Sequence, residues 1–269
     1  MLNKMKLRSL CSSLVAAALI TLPVIGQAET PEAKGLAVFE EADRRGDGYV
    51  DSKSGMLMIL KDKRGNTSKR EMRVKGLEGG DKDGDKTLMI FDTPKDQKGT
   101  ALLTFAHTNK DDDQWLYLPA LKRVKKIASK KKSGPFMGSE FSFEDIGGSE
   151  VEEYEYKFLR DETVDGKDFF VVESYPKDKY SGYTRIVSWI DKEHYRTFKA
   201  EFYDRKKSHL KTLSATGFKL YNDKFWRPDM LEMINHQTGK STVLESKDTV
   251  FMSGLKSSDF NKNSLKRAR

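Results

Sequence analysis

Between residues 30 and 45 the apolar positions recur at helical spacing, Leu36 with Phe39 and Val38 with Ala42. Thr30 stands as a candidate N-cap and Pro31 at the first helical position, so an amphipathic helix opens the domain. After Gly46 and Gly48 the period changes to two. Met72 and Val74 alternate with Arg73 and Lys75, and Phe198, Ala200 and Phe202 alternate with Thr197, Lys199 and Glu201. This pattern predicts strands over 55–61, 67–77, 87–92, 101–107, 114–118, 123–128, 154–161, 168–175, 184–191, 196–204, 209–221, 229–236 and 241–248. Short polar connectors separate them, among them Lys63-Arg64-Gly65-Asn66, Asp83-Gly84-Asp85, Asp165-Gly166-Lys167 and Thr238-Gly239-Lys240, chemistry that joins antiparallel strands. Beyond the opening helix, the one further helical candidate is the short stretch from Ser142 to Ile146.

No segment supplies the helix that a parallel crossover needs, so the fold class is mainly β. The simplest architecture is a single large antiparallel sheet curled into an incomplete β-barrel. Several strands are apolar on both faces, as in Met56 to Leu60, Leu88 to Phe91, Trp115 to Leu118, Phe169 to Val172 and Met230 to Ile234. Each needs cover on both sides, more than the predicted helices provide. An internal apolar cavity is one outlet for this surplus, and two packed sheets or an ordinary core is the other. Methionines at 56, 58, 72, 89, 137, 230, 233 and 252 suit either a flexible lining or core filling.

The chain has 269 residues, with 37% hydrophobic and 33% charged content, which excludes a disordered chain. Its first 28 residues read as a cleaved export signal: Lys4, Lys6 and Arg8 precede the apolar stretch from Leu14 to Ile25, and Gly26-Gln27-Ala28 offers the cleavage site. Residues 29–269 then form a single mature domain bound for the periplasm. Cys11, the sole cysteine, precedes the apolar stretch instead of following it, so no acyl anchor is expected and the mature chain has no thiol chemistry. Without the leader, 46 basic and 41 acidic residues leave a formal charge of +5. These interspersed acids and the export signal argue against nucleic acid as a partner.

Asp81, Asp83, Asp85 and Asp92 match a calcium-loop spacing, but Lys86 takes the position that requires glycine, so a polar hairpin turn reads better. The four histidines lie in separate segments and no Gly-x-Ser-x-Gly elbow occurs. No catalytic residue, metal site or cofactor is therefore expected, and the chain reads as a non-enzyme. The densest charge run, Lys122 to Lys132, precedes Ser133-Gly134-Pro135-Phe136-Met137-Gly138-Ser139. That pairing suits contact with anionic headgroups or an acidic partner, or else a solvated hairpin with a mobile loop.

Two blocks are more specific: Asp111 to Val124, centred on Trp115-Leu116-Tyr117-Leu118-Pro119-Ala120-Leu121, and Ser133 to Asp145, with its Gly-Pro-Phe-Met-Gly-Ser core. Together with Ser181-Gly182-Tyr183-Thr184-Arg185, Trp189-Ile190-Asp191-Lys192, Phe202-Tyr203-Asp204-Arg205-Lys206 and Asn235 to Thr242, they resemble the LolA-like outer-membrane lipoprotein-sorting family. The resemblance covers nearly the whole mature chain. It implies a half-open barrel whose helices cover a cavity for the acyl chains of a lipid or lipoprotein. It also implies association with RND-type (MMPL-like) inner-membrane exporters, and with it either cargo transfer to the outer membrane or a docking role without cargo. By residue type and position, Trp115, Tyr117, Phe136, Met137, Met230 and Met233 are candidates for the lining or its mouth. Lys125, Lys126, Lys130 and Lys131 are candidates for headgroup or partner contact.

Overall fold

The structure, a computed structural model, describes residues 29–80, 84–108 and 110–267. The predicted leader and the Asp81 and Asp83 positions of the acidic turn lie outside the described residues. Helix α1 (Pro31–Gly46) starts where the sequence places it. The Thr30 hydroxyl accepts a hydrogen bond from the Ala33 amide at 3.1 Å, satisfying one of the donors that a helix N-terminus leaves open.

Thirteen strands follow, each overlapping a predicted one. They are β1 (Asp51–Lys61), β2 (Thr67–Leu77), β3 (Lys86–Phe91), β4 (Ala101–Phe105), β5 (Asp113–Leu118), β6 (Arg123–Ile127), β7 (Tyr154–Val164), β8 (Lys167–Pro176), β9 (Tyr183–Asp191), β10 (Thr197–Asp204), β11 (His209–Tyr221), β12 (Phe225–Asn235) and β13 (Lys240–Phe251). The β7–β8 hairpin turns on Asp165 and Gly166, both at positive φ, which a two-residue turn matching the strand twist requires.

All thirteen belong to one antiparallel sheet in which sequence neighbours pair, with two departures. The first and last strands pair with each other, Met58 opposite Leu244, and the consecutive strands β6 and β7 do not pair. The sheet is therefore open, with β6 and β7 as its edges. It nevertheless curls, because inner-face side chains from β1–β5 and from β9, β10, β12 and β13 share one buried cluster. Right-handed twist over so many strands favours that curl.

Between the two edges the chain crosses the concave face through residues 128–153, which hold the short helix α2 (Phe143–Gly147). The Ser142 hydroxyl accepts from the Asp145 amide at 3.1 Å and the Asp145 carboxylate from the Ser142 amide at 2.6 Å, a complete capping box that places α2 where the sequence expects it. Phe136 and Phe141 from this crossing are buried against Met58, Met72, Met89, Phe91, Leu102 and Leu116. The crossing thus plugs the first half of the hollow. On the convex side, Phe260 and Leu265 cover Leu88, Ile90, Leu103 and Trp115, with Leu265 on a helix α3 (Lys262–Arg267) that the periodicity does not predict.

Candidate functional site

The two halves of the concave face carry side chains of different size. Under the plug they are Met, Leu and Phe, whereas β8–β11 present Ser174, Ser188, Thr197, Ala200 and Ala215 on the same face. Small residues on a curled sheet leave room. Helix α1 bridges that room instead of filling it. It sits directly on β7 at Gly35, where an added Cβ would come within 2.8–3.0 Å of Phe158 and Lys157 backbone atoms. Val38 then packs with Tyr156, Val172 and Ile190, and the Phe39 ring lies 4.5 Å from that of Tyr156.

Past that contact, α1 offers only Ala42 and Asp43, and a cavity of about 320 Å³ opens beneath it. Its walls include Phe39, Tyr154, Tyr156, Ile186, Ala200, Phe202, Leu213, Leu231, Met233 and, from the plug, Phe141. That volume falls within the range of small-molecule sites, with mostly apolar walls and a few polar groups. A second, open groove of about 530 Å³ adjoins it and shares Ala42, Thr197, Leu213 and Leu231 as walls.

A buried polar network pins the plug against the sheet. Lys211 of β11 and Asp145 of α2 form a 2.5 Å ion pair with side chains only 4% and 8% exposed. Lys211 also donates to the Glu140 carbonyl at 3.1 Å, and the Tyr183 hydroxyl donates to Asp145 at 2.7 Å. Asn235 donates to the Glu140 carboxylate at 2.7 Å, and the Glu140 amide donates to Thr242 at 3.0 Å. Glu144 accepts from the Gly182 amide at 2.9 Å and from the Ser181 hydroxyl. Charges this deep hold only when paired and hydrogen-bonded, so the network fixes one position for the crossing segment.

Carboxylates stand at the rim of the cavity near residues 148–151. Burial and the like charges of Asp47 and Glu152 push Asp43 up to about 6, and burial with Asp85 and Asp43 pushes Glu150 up to about 7. On the plug's far side, burial and Glu153 raise Asp112 to about 7. Among the described residues, no group of His, Cys, Asp and Glu could hold a metal ion, and no helix is long and apolar enough to cross a membrane.

A family model described as "-like: Uncharacterized protein" matches residues 83–267, and no curated protein matches the chain. Among solved structures, one described as an outer membrane lipoprotein-sorting protein domain, from Vibrio parahaemolyticus, is 54% identical. The match spans 87% of this chain and 99% of that one, with a TM-score of 0.85. The chain belongs to the outer-membrane lipoprotein-sorting family. A DUF1329 family protein from Desulfovibrio piger is 29% identical over 88% of this chain and 99% of its own, with a TM-score of 0.83. A LolA superfamily protein from Nitrosomonas europaea, 20% identical over 86% and 98% of the two chains with a TM-score of 0.70, shares the fold.

In this protein, the sequence blocks that carry the resemblance converge on the polar network. Glu140, Glu144 and Asp145 come from one block, Ser181 to Tyr183 from another, and Asn235 and Thr242 from a third; Arg205 of a fourth donates to the Ser181 carbonyl at 2.9 Å. Lys211 itself lies outside every block, in a strand where a lone lysine at an inward position was the available signal.

Of the residues expected in the lining, Met233 is fully buried and walls the cavity. Phe136 and Met137 line neither the cavity nor the groove. Phe136 is fully buried 5.9 Å from the Phe91 ring, and Met137 packs beside it with its carbonyl accepting from Arg70. Trp115 and Tyr117 face the other way, beneath the C-terminal segment, because in β5 the inward positions are Gln114, Leu116 and Leu118. Met230 is 38% exposed on the face opposite Met233, three positions along the same strand. The methionines at 56, 58, 72 and 89 fill the plugged half and do not line the cavity.

Lys125, Lys126, Lys130 and Lys131 are exposed, and none lines either hollow. The first two lie on the edge strand β6, where charge blunts unwanted strand pairing, and Lys126 pairs with Asp113 at 2.5 Å.

Proposed function

We propose that this protein is a non-enzymatic periplasmic carrier. It accepts a lipid or lipidated molecule from an RND-type (MMPL-like) inner-membrane exporter, shelters an acyl chain beneath α1, and delivers it toward the outer membrane. The observation that carries this reading is the 320 Å³ hollow, walled by apolar side chains that the chain's own residues leave unfilled, within a lipoprotein-sorting fold. Each methylene removed from water is worth ~0.8 kcal/mol, so about a dozen supply roughly 10 kcal/mol before ordering costs. Such an affinity is high enough to hold cargo and low enough to release it.

The test is extraction of co-purified lipid followed by mass spectrometry, with titration of a fluorescent fatty acid in parallel. Recovery of lipid and saturable binding are expected; neither lipid nor binding would sink the carrier. The plugged half of the concave face supports a second reading, a docking subunit of the exporter that carries nothing. In that version, pull-down with the exporter survives substitutions in the cavity wall.

A further inference from the structure

The groove beside the cavity differs from it in charge. Its rim carries Arg44, Arg45, Arg196, Lys224, Arg227 and His194, and no Asp or Glu lines it. Part of that charge is neutralised next to the groove. Glu41 pairs with Arg44 and Arg45, each at 2.7 Å, and Asp191 pairs with Arg196 at 2.5 Å.

Two cations are not neutralised in this way. Lys224 donates to the Asp47 carbonyl at 2.8 Å, and Arg227 donates to the carbonyls of Gly46 and Trp226, each at 3.0 Å. Among the described residues neither forms an ion pair, although Asp47, Glu78 and Asp85 lie close enough to Arg227 to act on it electrostatically. Backbone carbonyls use some of the guanidinium's five donors, and no carboxylate among the described residues pairs with it directly.

Asp43, Glu144 and Glu150 rim the cavity and do not line the groove. The cavity rim thus carries acidic groups and the adjoining groove basic ones. An amphiphile whose chain lies in the cavity can place an acidic headgroup among the cations of the adjoining groove. Charge-assisted bonds from Arg and Lys to phosphate or carboxylate are the strong members of their class.

We propose that the cavity and the groove form one site for an anionic amphiphile, its hydrocarbon chain under α1 and its phosphate or carboxylate headgroup against Lys224 and Arg227, with the Glu41-paired Arg44 at the rim. The proposal rests on the carrier reading and names its cargo class. Hexadecanoate, hexadecyl phosphate, hexadecanol and hexadecyltrimethylammonium, each below its micelle concentration, are titrated by calorimetry into the full protein, with inorganic phosphate as a separate arm. The acid and the phosphate ester are expected to bind roughly tenfold or more tightly than the alcohol, as one retained charge-assisted contact would give. Rising ionic strength should erode that preference, because the groove is open to solvent.

Arg44 and Lys224 are exposed, so the Arg44→Glu, Lys224→Glu double variant should fold. Its acid-to-alcohol affinity ratio should fall roughly tenfold. An alcohol that binds as tightly as the acid, with a ratio the double variant does not change, overturns the headgroup assignment and leaves the carrier standing. Inorganic phosphate binding as tightly as hexadecyl phosphate overturns it in favour of a free-anion site. Failure of all four amphiphiles to bind removes the carrier and the cargo class together.

Discussion

The two halves of the concave face share one sheet and one strand geometry, yet one is solid and the other hollow. Over β1–β5 the chain folds its own crossing segment inward and packs Phe136 and Phe141 against large apolar side chains. Over β8–β11 the inward residues include Ser174, Ser188, Thr197, Ala200 and Ala215, and the cover is a helix that rests on β7 through Gly35 and spans the rest. What makes a pocket here is the size of the inward residues and the shape of the lid, since both halves are apolar. The solid half anchors the fold, which leaves the other half free to stay unfilled.

That contrast can be broken most severely at the plug. Phe136→Ala removes a fully buried ring that sits 5.6 Å from Phe143 and 5.9 Å from Phe91. A loss of about 3–5 kcal/mol in denaturant unfolding is expected. Lys211→Leu should cost a similar ~3–5 kcal/mol, because it strands the Asp145 carboxylate in the interior. Adding Asp145→Leu should restore much of that loss, and a double-mutant cycle read by urea unfolding would show the coupling.

The hollow half should respond in the opposite sense. Leu213→Trp puts a large side chain where the cavity and the groove meet. It should abolish fatty-acid binding while changing stability by no more than about 1–3 kcal/mol. Unimpaired binding in this variant would place the ligand elsewhere.

The smallest effect expected is electrostatic. Asp112 has its carboxyl raised to about 7, chiefly by burial and then by Glu153. The folded protein therefore holds this proton more tightly than the unfolded chain. The resulting penalty is absent below the unfolded value near 4, grows as pH rises, and is complete above about 7. Asp112→Asn should raise the melting temperature by a few degrees at pH 8 and leave it nearly unchanged at pH 4, as scanning calorimetry would register.

Strand positions were legible because alternation and turn chemistry are local. The helix α1 cap and the short α2 stretch were legible for the same reason. The direction in which β5 faces was not, since Trp115-Leu116-Tyr117-Leu118 is apolar on both sides and a period of two gives no sign to choose the inner one. Helix α3 escaped notice because Lys262–Arg267 has one apolar residue, Leu265, too little to set a period. The basic groove was hidden because Arg44, Arg196, Lys224 and Arg227 come from three separate stretches of chain.

By itself, then, the sequence determined the thirteen-strand sheet, the opening helix and the family, since these rest on near-neighbour patterns and on contiguous blocks. Only the tertiary structure decided that the Gly-Pro-Phe-Met segment turns inward as a plug, and that the hollow lies under α1 beside a cluster of cations. Those outcomes depend on which side chains meet across the curled sheet, and a distance of that kind is set by packing in three dimensions.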